Sequence, residues 1–149
     1  TLYFPVTRQS PSEAAASPSI HEYMGRGESI LVVDDVKEQR ELAAEMLKGL
    51  RYQVQTVKSG EDALSYLKEH SADLIVLDMI MDPGMDGLET FQRIRTINPG
   101  QKAIIVSGFS DTERVKKAQA LGAGEYVRKP YVIEKLGLAI RRELGRPDR

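Results

Sequence analysis

The chain has 149 residues, 41% of them hydrophobic and 29% charged, a mix that suits one globular domain with a real core. Its 21 basic and 22 acidic side chains leave a formal charge of −1, which gives no general reason to expect nucleic acid or an anionic membrane surface as a partner. Cysteine is absent, excluding disulfides and thiolate metal sites. No apolar run approaches the roughly 20 residues that span a bilayer, and no signal peptide is recognisable. The expectation is a cytoplasmic domain that makes no membrane contact itself, whatever anchors its parent.

In chain order, "TLYFPV" (1–6) reads as one strand stopped by Pro5, too short to fold alone. The first residue is Thr and not Met, so a fragment of a longer protein is expected. Residues 7–28, rich in Ser, Ala, Pro and Gly and without periodicity, read as a linker. From residue 29 the pattern changes. "SILVVDD" is an apolar run ending in acid. "KEQRELAAEMLKGL" places Leu42, Ala43, Met46, Leu47 and Leu50 at the spacing of an amphipathic helix. "YQVQTV" alternates as a short strand. "SGEDALSYLKEH" opens a helix on Ser59 with Asp62 three residues on. "DLIVLD" is a strand, and "GLETFQRIRTI" a helix closed by Asn98-Pro99-Gly100. "KAIIVSG" is a strand, and "DTERVKKAQALG" a helix with Gly122 as its C-cap. "EYVRKP" is a strand cut off by Pro130, and "VIEKLGLAIRREL" the last helix. Five strands alternate with five helices. Apolar strand runs suggest a sheet buried on both faces, and right-handed crossovers then give a doubly wound α/β domain with a parallel sheet.

In such sheets the site lies beyond the carboxyl ends of the strands. Asp34 and Asp35 end the first strand, Asp78 the third, Ser107-Gly108 the fourth and Lys129-Pro130 the fifth. Each has a plain reading when taken singly: a helix cap, a turn former, a solvated lysine. Together they would bring three carboxylates, a hydroxyl and an ammonium to one patch. Crowded carboxylates repel, and a hard divalent cation resolves this. Mg²⁺ takes oxygen ligands and is held by one or two carboxylates plus phosphate oxygens. Without His or Cys here, zinc is a poor fit. Lys129 suits a phosphoryl oxygen, Ser107 can donate to another, and Asp78 can be a nucleophile forming an aspartyl-phosphate. The Pro- and Gly-rich turn after Asp78, "MIMDPGMDG", would let backbone fold around metal and phosphoryl group.

The stretches "ILVVDD" (30–35), "DLIVLDMIMDPGMDGLE" (73–89), "IIVSG" (104–108) and "EYVRKP" (125–130) resemble the receiver domain of bacterial two-component response regulators, and the resemblance covers residues 29 to about 145. It implies a flavodoxin-like five-stranded sheet of order 2-1-3-4-5 with five helices. It implies Asp78 as phosphoacceptor and Mg²⁺ held by Asp35, Asp34, Asp78 and the backbone carbonyl of Ile80. Ser107 matches the hydroxyl residue that binds the phosphoryl group and moves on activation. Lys129 matches the lysine of the family motif, and Tyr126 the aromatic switch that swings inward with Ser107. Residues 111–144 would transmit the change and could pair in a homodimer. The implied partner is a histidine kinase dimerisation and phosphotransfer domain or a histidine phosphotransfer protein, with no nucleic acid bound by this domain.

Two departures stand out. The turn after Asp78 is one residue longer than the commoner receiver pattern, which makes Asp82 extra and reads it as solvated surface. Ile80 and Phe109 put bulky apolar groups near the phosphoryl site, where they could hinder the hydrolytic water and prolong the phosphate. "TLYFPV" resembles the last strand of a histidine kinase ATP-binding domain. The implied organisation is a kinase remnant (1–6), a linker (7–28), the receiver (29–145) and a tail (146–149), the C-terminal receiver of a hybrid sensor kinase. His21 and His70 read as surface residues. An Asp-nucleophile phosphatase of the haloacid dehalogenase type would place its two acids as D-x-D after the first strand, and here they are adjacent. A pseudo-receiver used only for protein binding would not need Asp34, Asp35, Asp78, Ser107 and Lys129 together.

Overall fold

The computed structural model describes residues 24–79, 81, 85–108 and 112–146. The strand expected at 1–6, most of the linker, the 147–149 end of the tail, and Ile80, Asp82 and Phe109 lie outside these residues. Among the described residues ten elements alternate as the sequence patterns require. They are β1 (Ser29–Val33), α1 (Lys37–Gly49), β2 (Gln53–Val57), α2 (Gly60–Glu69), β3 (Leu74–Asp78), α3 (Gly87–Ile97), β4 (Ala103–Ser107), α4 (Thr112–Ala120), β5 (Tyr126–Arg128) and α5 (Ile133–Leu144). All five strands are parallel and ordered β2-β1-β3-β4-β5. This is the five-helix, doubly wound sheet of order 2-1-3-4-5 that the sequence resemblance implies.

Alternation along each strand splits the core in two. Ile30, Val32, Leu74, Val76, Ile104 and Val106 point to one face, where Ala43, Leu47 and Leu50 meet Leu136, Ala139 and Ile140. Leu31, Val33, Ile75, Leu77 and Ile105 point to the other, against Ala63, Phe91, Ile94, Val115 and Ala118. So α1 and α5 cover one face while α2, α3 and α4 cover the other. Strands β1, β3 and β4 have neighbours on both sides, and their apolar residues contribute about 2 kcal/mol each for full burial. The edge strand β2 is different: most of Gln53–Val57 is exposed or half-exposed, because it has one neighbour and a thin cover. The expectation of strands buried on both faces therefore fails there.

Local chemistry places the helix ends. Ser59 caps α2, its hydroxyl accepting from the Asp62 N–H at 3.0 Å. Asp86 caps α3 in the same way through the Glu89 N–H at 2.9 Å. Gly122, past α4, has φ +113°, the left-handed conformation that glycine adopts without strain. On α1 one expected core residue is misplaced: Leu42 is 43% exposed, whereas Ala43, Leu47 and Leu50 are buried. Leu42 lies about 100° around the helix from Ala43, beyond the covered stripe, and Met46 one turn on packs only at its rim.

Candidate functional site

The register of the parallel strands brings their carboxyl ends level. Val33 pairs with Leu77, Asp78 with Val106, and Ser107 with Arg128. Asp34, one step past β1, is fully buried, and Asp78 and Ser107 close β3 and β4 as buried residues. The three carboxylates of Asp34, Asp35 and Asp78 converge, with one oxygen of each lying within 4.8 Å of the others. The Lys129 ammonium comes in from beyond β5, 2.7 Å from Asp34 Oδ2 and 3.4 Å from Asp78 Oδ2. All of the described residues that the sequence nominates for phosphoryl chemistry thus stand at one end of the sheet. Ile80, nominated for its carbonyl, lies outside the described residues.

Backbone contacts hold these groups in place. The Val36 N–H donates to Asp34 Oδ1 at 2.9 Å, and the Arg40 guanidinium to the Asp34 carbonyl at 2.9 Å. Past β3, the Met79 N–H continues the ladder to the Val106 carbonyl. The chain then returns over its own strand end, with the Gly87 N–H donating to the Met79 carbonyl at 2.9 Å. A Cβ at Gly87 would fall 2.6 Å from Met79 Cα and collide with the Asp78 carbonyl. Only glycine lets α3 start this close to the acid. The Lys129 N–H donates to the Ser107 carbonyl at 2.9 Å, and the peptide to Pro130 is cis.

Tyr126 opens β5, half-buried against α3 and α4, with its hydroxyl 3.4 Å from the Ser107 carbonyl. In the ladder Tyr126 pairs with Ile105 and Arg128 with Ser107, so the tyrosine reaches the Ser107 carbonyl through its side chain. His70, at the end of α2, is exposed and stacks on Tyr66 with centroids 4.7 Å apart.

Two residues of the site carried no signal in the sequence. Tyr131 lies beneath Lys129, whose ammonium is 5.9 Å from its ring centre. Burial, reinforced by the Asp34 and Asp78 carboxylates beside it, pushes its phenol far above the usual tyrosine range. Gln39, on the first turn of α1, lines the cleft together with Asp35, Asp78, Lys129 and Pro130. The tyrosine follows a motif lysine by two residues, which is a spacing to look for. The glutamine is an ordinary helix residue by type.

The arrangement is a cleft of about 520 Å³ with an anionic floor, a single ammonium held on it, and backbone that closes around the acid at the end of β3. Its donor set is all oxygen and belongs to hard cations. The response regulator receiver domain model matches residues 30–141, and the chain belongs to that family. It is a receiver domain of two-component signalling. Sporulation initiation phosphotransferase F of Bacillus subtilis is 32% identical over 117 residues, covering 78% of this chain and 94% of that protein. The transcriptional regulatory protein ZraR of Salmonella typhimurium is 34% identical over 116 residues, and the chain spans 26% of its length. A CheY-like receiver domain protein from Methanospirillum hungatei, solved by crystallography, is 25% identical with a TM-score of 0.75, over 80% of this chain and 94% of that one.

Proposed function

We propose that Asp78 accepts a phosphoryl group from a phosphohistidine, with Mg²⁺ bound by Asp34, Asp35 and Asp78. The observation that carries this reading is the convergence of the three carboxylates around a single lysine at the carboxyl end of the sheet. One ammonium against three carboxylates leaves a local excess of negative charge, and Asp34 is fully buried. A divalent cation relieves that repulsion, and the all-oxygen donor set suits Mg²⁺. Bound there, the cation would neutralise charge on the phosphoryl oxygens.

The remaining chemistry belongs to the chain. An Asp78 carboxylate oxygen attacks phosphorus, forming a C–O–P linkage as the N–P bond of the donor breaks. The electron pair stays on the imidazole nitrogen, which takes up a proton. Lys129, already 3.4 Å from Asp78, pairs with a phosphoryl oxygen, and the Ser107 hydroxyl donates to another. Ser107 drawn toward the phosphate takes its carbonyl with it, and the Tyr126 hydroxyl follows from 3.4 Å away. That couples the site to α4, β5 and α5, the face through which residues 111–144 would signal or pair. Receiver domains exchange phosphate with histidine kinases and phosphotransfer proteins, and the donor here belongs to one of these classes. The likeness of "TLYFPV" to the end of a kinase ATP-binding domain favours a hybrid sensor kinase as parent.

Intact mass after incubation with acetyl phosphate and Mg²⁺ tests the reading. The wild type should gain one phosphoryl group and Asp78→Asn none. A wild type that gains nothing from acetyl phosphate or from a phosphorylated histidine domain overturns it in favour of a pure binding module.

A further inference from the structure

The Lys129 ammonium is shared between two carboxylates, and the sharing is uneven. It stands 2.7 Å from Asp34 Oδ2 and 3.4 Å from Asp78 Oδ2. Asp34 is also the more deeply buried of the two acids. Attraction to the carboxylates therefore draws the ammonium toward Asp34 and away from the acceptor. A lysine side chain is long and flexible besides, and fixing it in one rotamer costs entropy. Phosphoryl transfer needs the ammonium ordered and within reach of Asp78. A third group bears on it. The ammonium lies over the Tyr131 ring, 5.9 Å from its centre. Tyr131 is 9% exposed and belongs to the core cluster that holds Val106, Val127, Leu136 and Ile140. A ring packed into a dense core keeps its orientation. Its π face attracts a cation, and more strongly where water is excluded; the Lys129 side chain is only 13% exposed. The phenolic oxygen is buried without a hydrogen-bond partner, so the ring face is the part of Tyr131 that meets the lysine.

We propose that Tyr131 is a positioning residue for phosphoryl transfer, its ring face holding the Lys129 ammonium between Asp34 and Asp78, ready to pass to a phosphoryl oxygen. This rests on the reading of Asp78 as the phosphoacceptor. Ordering the lysine before the reaction spares that ordering at the transition state. A ring face also holds a cation without a directional bond, so the ammonium can turn from Asp34 to the phosphoryl group and keep the contact. Tyr131 acts on the reaction through Lys129.

The test is the rate of phosphate uptake from acetyl phosphate with Mg²⁺, followed by intact mass, for the wild type, Tyr131→Phe, Tyr131→Leu and Tyr131→Met. Urea unfolding establishes which variants are folded. Loss of the ring in the Leu or Met variant should slow uptake about fivefold, the effect of one largely desolvated cation–π contact. Phe keeps the ring and drops only the unpartnered hydroxyl, so its uptake should stay within about twofold of the wild type. In a Lys129→Met background the Leu substitution should slow uptake no further, because the group it acts through has gone. A Phe variant as slow as the Leu variant would assign the effect to the hydroxyl. The full loss repeated beside Lys129→Met would assign it to packing. Either overturns the proposal, and so does the wild-type rate in a folded Leu or Met variant. A wild type that takes up no phosphate overturns the acceptor reading itself, so the two failures are distinguishable.

Discussion

Lys129 is the residue on which the resting site depends most. Its ammonium is 2.7 Å from the carboxylate of Asp34, which is fully buried, and its own side chain is 13% exposed. Removing one partner of a buried pair leaves the other charge uncompensated. Lys129→Met should therefore cost about 3 kcal/mol in denaturant unfolding without metal. Adding Asp34→Asn to that variant should recover much of the loss, whereas an additive decline would show that Lys129 acts by packing. A second ion pair lies at the other end of β1. There the Arg141 guanidinium is 2.6 Å from Glu28 Oε2, and the Arg26 N–H is 2.6 Å from Glu28 Oε1. Partial burial pushes the Glu28 carboxyl up, but the Arg26 and Arg141 hydrogen bonds outweigh it and hold the group below its ordinary value of 4.5. With the folded value depressed, the unfolded chain binds more protons, so this stability is present above 4.5 and lost as pH falls through the folded value. Glu28→Gln should lower stability by about 1 kcal/mol at pH 7 and converge with the wild type toward pH 3. Thermal midpoints across that range would check the sign, and a constant gap would refute it.

At the scale of elements, the strand-to-helix turns decide what the strand ends can do. In the turn from β3 to α3 the chain passes back over the Asp78 carbonyl at Gly87, too close for any side chain there. Gly87→Ala should destabilise the domain by about 1–3 kcal/mol, the range for forcing extra atoms into packed backbone. It should also slow uptake of phosphate from acetyl phosphate, because relief of the clash displaces Asp78. Unfolding in urea and the mass-based phosphorylation rate measure the two effects separately. The helices follow a different logic: each is amphipathic, and the buried stripe is set by what covers it. Leu42 shows the limit of period alone, since it fits an apolar face of α1 that is wider than the sheet and α5 can cover.

For the whole molecule, the site is an acidic depression at one end of a sheet clad on both faces, and ligand binding there should feed into global stability. A cation bound by the folded state alone stabilises by mass action, about 2.7 kcal/mol at one hundred times its dissociation constant. The thermal midpoint should accordingly rise with Mg²⁺ and fall back on chelation, and Asp35→Asn should abolish the rise. A midpoint indifferent to Mg²⁺ in differential scanning calorimetry would count against the metal site. At the edge of the same depression the Tyr126 hydroxyl donates to the Ser107 carbonyl at 3.4 Å, tying a β5 side chain to the end of β4.

Much of this was readable from residue order, for reasons specific to the fold. Parallel strands buried between helices need unbroken apolar runs, so β1, β3 and β4 announced themselves in "ILVV", "LIVL" and "AIIV". Crossover handedness then put every strand's carboxyl end on one side, and the polar residues at those ends, Asp34, Asp35, Asp78, Ser107 and Lys129, had to share it. Ser59 announced a helix start, because a cap acts through neighbours a few residues away. What depends on distant parts of the chain could not be read. Whether Leu42 is covered, whether Gln39 lines the cleft, and where the Tyr131 ring lies under Lys129 are matters of side-chain placement between elements far apart in sequence. The sequence by itself determined which elements form and which acids meet, because hydrophobic period and chain direction are local properties. Only the tertiary structure decided how closely they meet and what lines the space between them, because distance and burial are set by packing that no short stretch contains.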